Sequence, residues 1–239
     1  MAAARHALDA SWPDSALAYS LWGERDFHEP DRSRAMLISA QAYEARGSLD
    51  SALVRYERWI DTHSNGSDTT ARVRYRRGQL YERLDHWEQA RTEYRALAAN
   101  QPTHPLAFEA LRRIVEHHAA RGERELAAIE ASRGLEAVEQ LITVQSDPAV
   151  LRLARRARAE LLLDLDRAQP AFDQLVEAWR TDPDPKAAAA AGMRAAEVAE
   201  TRLSDPARAL EIYRRLAAGA LAPESRRRTE AALARLSRS

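Results

Sequence analysis

The sequence predicts an all-α protein built as an α-solenoid, an array of stacked helix pairs. Its 239 residues include only 8 glycines and are rich in alanine, arginine, leucine and glutamate, which favour helices over strands. The tetrapeptide Asp-Ser-Ala-Leu occurs at residues 14–17 and again, 36 residues later, at residues 50–53. A recurrence with a period of about 20–50 residues indicates stacked repeats rather than one globular core.

Alanines in the same register continue this recurrence along the chain. They are Ala16, Ala52, Ala90, Ala127, Ala171 and Ala209, at steps of 36, 38, 37, 44 and 38 residues. Each is predicted to lie near the start of the second helix of a pair, where the two helices approach most closely and a larger side chain would separate them. Asp14 and Asp50 are predicted to cap these second helices.

The register divides a single domain, residues 1–239, into six helix pairs and a last helix. Proline-containing and polar segments, such as residues 64–68 and 182–185, mark the breaks. The predicted units are 1–31, 32–68, 69–103, 104–146, 147–183 and 184–222, followed by a terminal helix over 223–237. The fourth unit fits the pattern least well. Its 44-residue step predicts a second helix extended to about Leu141, and a longer first helix with a shifted turn is the alternative.

The third unit carries the clearest family pattern. Gly78, Tyr81, Ala90, Tyr94 and Pro102 stand at the spacings of the tetratricopeptide repeat, and the other units match in part, so the chain resembles this family over nearly its whole length. The style of the repeats is similar to bacterial cell-envelope members such as the outer-membrane assembly lipoprotein and the Tol–Pal coordinating protein. The resemblance implies a right-handed superhelix of about six antiparallel helix pairs plus a C-terminal helix.

In this family the first helices line a concave face that binds peptides or partner segments. Carried over by position, the resemblance places these residues there: Arg34, Leu37, Gln41, Glu44, Arg72, Tyr75, Gln79, Arg83, Arg112, Glu116, Arg156, Glu160 and Arg194. The recurring arginines would suit carboxylates on an extended partner. The favoured alternative is that they form ordinary i,i+4 pairs, as Arg112–Glu116 and Arg156–Glu160 could.

Candidate chemistry is sparse. The chain has no cysteine, no glycine-rich phosphate loop, no nucleophile elbow and no zinc-protease motif, so no enzyme activity, cofactor or metal is expected. His117 and His118 are adjacent on a helix and point about 100° apart, which disfavours a shared metal ion. His118 is expected to be half-buried in the family's tyrosine position. Asp164 and Asp166 are interpreted as helix caps at a turn rather than as a catalytic carboxylate pair.

The tryptophans divide into two groups. Trp59 and Trp87 fall on the apolar stripes of second helices and are expected in the core. Trp12 and Trp22 lie near the weakly patterned N-terminus, and the sequence leaves open whether they belong to a contact surface.

Charge and hydropathy narrow the choice of partners. The 36 basic residues balance 36 acidic ones, so nucleic acid is not expected as a partner, and the apolar runs are too short for membrane insertion. The N-terminus lacks the apolar core of a signal peptide. The compartment stays open: the periplasm or cell envelope if a targeting segment was removed, the cytoplasm otherwise.

The sequence therefore predicts a non-enzymatic protein–protein interaction scaffold that binds a peptide, tail or partner subunit along its concave face or edges. The alternative is an accessory repeat region of a longer cell-envelope enzyme, such as a soluble lytic transglycosylase, without its catalytic domain. The terminal helix over 223–237 is interpreted as a cap, or else the chain is a segment of a longer array. A designed array is disfavoured by the irregular steps. The partner and the oligomeric state stay open.

Overall fold

The computed structural model describes residues 1–63, 66–219 and 221–237. These residues form thirteen α-helices and no strand, which confirms the predicted all-α class. The chain divides into two compact units, residues 1–110 and 111–239. The predicted break at Ser64 and Asn65 lies outside the described residues, and the division into six repeats stays a prediction.

The first unit contains six helices and the start of a seventh. They are α1 (Ala2–Asp9), α2 (Pro13–Asp26), α3 (Asp31–Ala45), α4 (Leu49–Thr62), α5 (Asp68–Arg83), α6 (Trp87–Asn100) and α7 (Pro105–Ala120), and α7 contains the point of division. Each odd-numbered helix packs against the even-numbered helix that follows it in α1–α2, α3–α4 and α5–α6. These pairs are the helix hairpins that the periodicity predicts.

The second unit continues with the rest of α7 and six further helices. They are α8 (Arg124–Val144), α9 (Pro148–Asp164), α10 (Ala168–Thr181), α11 (Pro185–Thr201), α12 (Pro206–Ala217) and α13 (Pro223–Leu236). α8 extends to Val144, three residues beyond the Leu141 that the 44-residue step predicts. None of the helices in the described ranges is long and apolar enough to cross a bilayer.

Small side chains occupy the contacts between paired helices. All six alanines of the repeat register are buried: Ala16, Ala52, Ala90, Ala127, Ala171 and Ala209. In α5 the same role falls to Gly78, where a Cβ atom would lie only 2.3 Å from the ring of the buried Tyr94. The spacing of small residues therefore reports the close approach of the helices, as the sequence predicts.

The turns inside the helix pairs share a second feature, one that the sequence reasoning missed. In all six such turns of the described residues, the residue five positions before the buried alanine has a left-handed backbone: Ser11, Gly47, Asp85, Gly122, Asp166 and Ser204. In five of the turns the next backbone N–H donates to the carbonyl five residues before it, at 2.8–2.9 Å. This left-handed closure satisfies carbonyl groups at the end of the first helix.

The capping predictions for the aspartates are wrong. Trp12 and Ser48 precede the first residues of α2 and α4, and Asp14 and Asp50 lie inside the first turn without a capping hydrogen bond. In that position a carboxylate still favours the helix through the helix dipole. Asp166 does not cap α10 either, because it is the left-handed residue of its turn.

Asp164, the other carboxylate interpreted as a cap, is the last residue of α9 and does not cap α10. Although Asp164 as a residue is exposed, partial burial of its carboxyl group raises the pKa of that group to about 6, and the nearby charges of Glu160 and Glu116 add to the shift.

The tryptophans are distributed as their positions in the helices suggest. Trp59 is buried and stacks on His63 with the ring centres 4.5 Å apart, and Trp87 is half-buried. Trp12 and Trp22 are more than half exposed. The prediction of a core position is thus confirmed for Trp59 and is met only in part by Trp87, whereas Trp12 and Trp22 contribute exposed aromatic side chains.

Candidate functional site

An open groove in the first unit contains several of the residues predicted to bind a partner. It encloses about 550 Å³ and lies among α1, α3, α4 and α5. We call it the first groove, and its lining includes Arg5, Leu8, Leu37, Gln41, Glu44, Tyr56, Arg72, Val73 and Arg76. Leucine, valine and tyrosine side chains give it apolar surface, while its charged lining consists of three arginines and one glutamate.

The single carboxylate of the first groove is already shared. The side chain of Glu44 is only 7% exposed, and Arg76 binds it with both nitrogens of one edge, the Nε–Oε2 distance being 2.9 Å. Arg83 donates a further hydrogen bond to Glu44 Oε1 at 3.1 Å. Two guanidinium groups on one carboxylate leave a net positive charge at this place. Burial raises the pKa of the Tyr56 hydroxyl, and the negative charge of Glu44 adds to the shift.

Two further arginines lie on the rim of the first groove. Arg72 donates to Asp68 Oδ2 at 2.7 Å in an exposed i,i+4 pair, and His104 Nε2 lies 3.1 Å from the other oxygen of the same carboxylate. The hydrogen bond with His104, followed by that with Arg72, lowers the pKa of Asp68. Arg5 donates to the amide oxygen of Gln41 at 3.0 Å. The two rim arginines therefore add positive charge to the groove. Their contacts, an exposed ion pair and a hydrogen bond to a neutral amide, are weak.

The other predicted residues of the first unit lie beside the groove rather than in its lining. Arg34 pairs with Asp31 at 3.0 Å near the start of α3, and Gln79 accepts a hydrogen bond from Arg76 at 2.9 Å. The ring of Tyr75 lies 5.7 Å from that of Tyr94. These three side chains contribute to the ion pairs and packing around the groove.

The sequence reasoning missed seven lining residues: Arg5, Leu8, Ala45, Tyr56, Thr69, Val73 and Arg76. Arg76 could have been found, because it lies one helical turn from Arg72 and two from Arg83 on the same face of α5. Tyr56 belongs to a second helix, and only the packing of α4 against its neighbours brings it to the groove.

The predicted residues of the second unit do not form one site. Arg112 pairs with Glu116 at 3.0 Å within α7, as the i,i+4 alternative predicts. The corresponding pairing of Arg156 with Glu160 is wrong, because Glu160 binds Arg194 through two hydrogen bonds of 2.8 and 2.6 Å. Arg156 is exposed, and no ion pair joins it to another residue in the described part of the chain.

A recurring type of ion pair explains this exchange of partners. Within each unit, arginines of one first helix bind glutamates of the preceding first helix, as in Arg76–Glu44, Arg194–Glu160, Arg228–Glu197 and Arg235–Glu200. The pair formed by Arg228 measures 2.7 Å, and the longer of the two contacts made by Arg235 measures 2.9 Å. For these four arginines the partner is set by the stacking of the helices, whereas Arg72 and Arg112 pair with carboxylates of their own helices.

The two adjacent histidines of α7 are each oriented by contacts within the protein. His118 is buried, more deeply than predicted, and its Nδ1 lies 2.6 Å from Glu123 Oε2, an interaction that lowers the pKa of Glu123. The ring of His117 lies perpendicular to that of His118. Among the described residues, no group of three or more histidine, aspartate or glutamate side chains is placed to hold an ion.

Comparisons with known proteins agree with the repeat architecture. The sequence profile of the tetratricopeptide repeat family matches residues 1–66 and 75–142, more than half of the chain. No curated protein sequence is significantly similar to it.

Among solved structures, the C-terminal part of a TPR repeat-containing protein from Cytophaga hutchinsonii is 14% identical. It aligns over 90% of this chain and 76% of its own length with a TM-score of 0.53. A tetratricopeptide repeat protein from Parabacteroides merdae is 16% identical and aligns over 99% of this chain and 96% of its own, with a TM-score of 0.45. At these identities the similarity concerns the fold alone.

Proposed function

The chain belongs to the tetratricopeptide repeat family, and from this premise we propose that it is a non-enzymatic scaffold whose first groove binds an extended, acidic segment of a partner protein. The observation that carries the proposal is the composition of the groove lining. Three arginines stand against one glutamate, and that glutamate is held by Arg76 and Arg83. Asp68 beside the lining pairs with Arg72, whereas Arg5 contacts only the neutral amide of Gln41. The groove therefore keeps an excess of positive charge that an acidic ligand can balance.

The apolar part of the lining suits the side chains between those carboxylates. Leu8, Leu37 and Val73 contribute hydrocarbon surface beside the arginines. A partner segment that alternates acidic and apolar residues can place carboxylates on Arg5 and Arg72 and bury its apolar side chains between them. Binding of an open, extended segment in this way costs little rearrangement of the helices.

A selection from a random peptide library tests the proposal even though the natural partner is unidentified. Peptides enriched on the wild-type chain are then titrated by fluorescence anisotropy against the double variant Arg5→Glu/Arg72→Glu. Its matched control is Arg58→Glu/Arg91→Glu, which makes the same change of charge on the second helices α4 and α6, outside the lining.

We expect the enriched peptides to be acidic and the groove variant to bind them about tenfold or more weakly, since it turns two attractive contacts into repulsive ones. The control is expected to bind as the wild type does. Enrichment of neutral or basic peptides, or equal affinity of both double variants, contradicts the proposal.

Two finer predictions concern the setting of the protein. The similarity of repeat style to cell-envelope members suggests an envelope role, and an accessory region of a longer enzyme, such as a soluble lytic transglycosylase, is the alternative to an independent scaffold. The genomic reading frame around the coding sequence tests both, because it shows whether a signal peptide or a catalytic domain adjoins these residues.

A further inference from the structure

Arg72 differs from the other two arginines that line the first groove, because its partner is an exposed carboxylate. Its Nε donates to Asp68 Oδ2 at 2.7 Å, one helical turn earlier on α5. The side chains of Arg72 and Asp68 are 71% and 62% exposed. Asp68 does not line the groove, but the next residue, Thr69, does. A ligand that reaches Arg72 therefore meets a carboxylate of the chain already bound to it.

The other two arginines of the lining do not present this competition. Arg76 binds Glu44, whose side chain is only 7% exposed and is also held by Arg83. A buried carboxylate between two guanidinium groups stays in place when a ligand binds, because its release would leave buried charge unpaired. Arg5 donates to the amide oxygen of Gln41, which is neutral. Competition with an acidic ligand is thus confined to the α5 end of the groove.

Asp68 is held at this end of the groove by the segment between α6 and α7. His104 Nε2 lies 3.1 Å from Asp68 Oδ1. Gln101, which is buried, donates from Nε2 to the carbonyl oxygens of Gly66 and Ser67 at 2.8 and 2.9 Å. These three contacts tie the start of α5 to residues 101–104. The carboxylate is therefore fixed from outside its own helix, which an ordinary i,i+4 pair is not.

The hydrogen bonds of His104 assign the proton of its ring. The backbone N–H of Leu106 donates to His104 Nδ1 at 3.1 Å, so Nδ1 has no proton and the neutral ring carries its proton on Nε2. Nε2–H therefore donates to Asp68 Oδ1. This hydrogen bond is the largest cause that lowers the pKa of Asp68, and the bond from Arg72 adds to it. Asp68 is held as an anion by a neutral donor on one oxygen and a cation on the other.

This division of the two oxygens makes the ion pair exchangeable. If Arg72 turns to a ligand, the hydrogen bond from His104 to Asp68 Oδ1 remains, and Oδ2 faces water because the side chain is exposed. The exchange costs only an exposed ion pair, which contributes little to stability. A carboxylate of the ligand that pairs with two nitrogens of the guanidinium group forms a stronger contact than the single bond to Asp68.

We propose that Asp68 is an autoinhibitory carboxylate of the first groove, which occupies Arg72 in the free chain and is displaced by an acidic segment of the partner. His104 is the positioning residue that keeps Asp68 beside Arg72. The contact lowers the affinity for every acidic ligand and thereby disfavours ligands whose carboxylate meets Arg72 with poor geometry. This inference rests on the function proposed for the first groove and adds its regulation.

The test uses a blocked, fluorescein-labelled heptapeptide, Glu-Leu-Glu-Leu-Glu-Leu-Glu, titrated into the full chain by fluorescence anisotropy. Asp68→Asn removes the competing charge and keeps the shape of the side chain. We expect it to bind the peptide about two- to fivefold more tightly than the wild type, the factor that corresponds to an exposed ion pair. The matched control Asp61→Asn makes the same change of charge at an exposed residue of α4 outside the lining. It is expected to change the affinity by less than about twofold, since distant surface charges are screened.

A variant without a change of charge separates the local contact from overall electrostatics. His104→Asn keeps a side-chain oxygen that can cap α7, but asparagine is shorter than histidine and does not reach Asp68. We expect this variant to bind the peptide more tightly than the wild type, by a smaller factor than Asp68→Asn, because Asp68 is no longer held beside Arg72. In the Asp68→Asn background the same substitution is expected to have no further effect.

The outcomes distinguish a failure of this inference from a failure of the proposed function. If Asp68→Asn binds the peptide as the wild type does, while Arg5→Glu/Arg72→Glu binds it more weakly, autoinhibition is overturned and the groove remains the binding site. An equal gain in Asp68→Asn and Asp61→Asn also overturns it, because the gain then comes from overall charge. Weaker binding by His104→Asn contradicts the positioning role of His104. If neither the wild type nor Asp68→Asn binds the peptide, the inference and the proposed function are both wrong.

Discussion

Replacing Gly78 with alanine gives a direct test of the packing between paired helices. A Cβ atom at this position would lie 2.3 Å from Tyr94 Cε1, 2.7 Å from Cζ and 2.8 Å from Cδ1. Tyr94 is fully buried, so its ring has no open space into which to rotate. Non-bonded carbon atoms prefer about 3.5–4.0 Å, which means that the ring or the whole of α6 must shift by about 1 Å.

Two effects of opposite sign determine how much Gly78→Ala changes the free energy of unfolding. Alanine favours a helix interior over glycine by about 1 kcal/mol, and overpacking a well-filled core costs about 1–3 kcal/mol. Because all three contacts fall below 3.0 Å and the ring is enclosed, we place the cost at the upper end. The expected result is a net loss of about 2 kcal/mol in the free energy of unfolding of Gly78→Ala.

Urea unfolding followed by helical circular dichroism measures this loss, and two further variants isolate its cause. At Gly134 the nearest contact of an added Cβ is the flexible end of Leu161 at 3.3 Å, so Gly134→Ala is expected to be neutral or slightly stabilising. In the background of Tyr94→Ala the clash is absent, and Gly78→Ala should then stabilise the chain by about 1 kcal/mol. If Gly78→Ala alone stabilises the wild-type chain, the close approach of the helices is refuted.

Three further predictions follow from the turns and the buried charges. Gly122 and Ser204 both have a left-handed backbone, which glycine adopts more easily than other residues. Urea unfolding should therefore show that Gly122→Ala lowers the free energy of unfolding by about 1 kcal/mol and that Ser204→Gly leaves it equal or raises it. A gain in stability from Gly122→Ala together with a loss from Ser204→Gly would contradict the shared turn. Glu93 and Arg77 are both buried and lie 3.1 Å apart, so Glu93→Gln, which leaves the Arg77 charge without this partner, should cost about 3 kcal/mol. A loss below about 1 kcal/mol, the value of an exposed pair, would contradict this. The pKa of Asp164, raised to about 6 from 3.8, means that its contribution to stability is fully present below about pH 4 and is lost as the pH rises through 6. Asp164→Asn should therefore remove the part of the pH dependence of the free energy of unfolding that falls between about pH 4 and pH 6. A pH dependence equal to that of the wild type would contradict the raised pKa of Asp164.

The repeat could be predicted because its evidence is local and periodic. Ala52, Ala90 and their equivalents keep one residue type in one register, and a small residue is required wherever two helices touch. The shared turn escaped notice because glycine, aspartate and serine all fill it, as Gly47, Asp85 and Ser204 show. The feature that these turns have in common is a backbone conformation, which no single letter of the sequence represents.

The binding surfaces were predictable only in part. Leu37 and Arg72 were assigned to the groove because they lie on first helices. Arg72 pairs with Asp68 of its own helix, but the partner of Arg76 depends on the stacking of the helices. Glu44 and Arg76 are 32 residues apart, so no spacing rule within one helix joins them. The 44-residue step marked an irregular repeat, and in the structure it corresponds to the additional turns of α8, which extends to Val144.

Photo-crosslinking from the first groove tests the central claim most directly. The chain carries p-benzoylphenylalanine in place of Leu37, which lines the groove, or in place of Val54, an exposed residue on α4 outside the lining. Each is irradiated with an acidic peptide selected on the wild-type chain. We expect a crosslink from position 37, lost in the Arg5→Glu/Arg72→Glu background, and none from position 54. A crosslink of equal yield from both positions, or one from position 54 alone, would contradict the account.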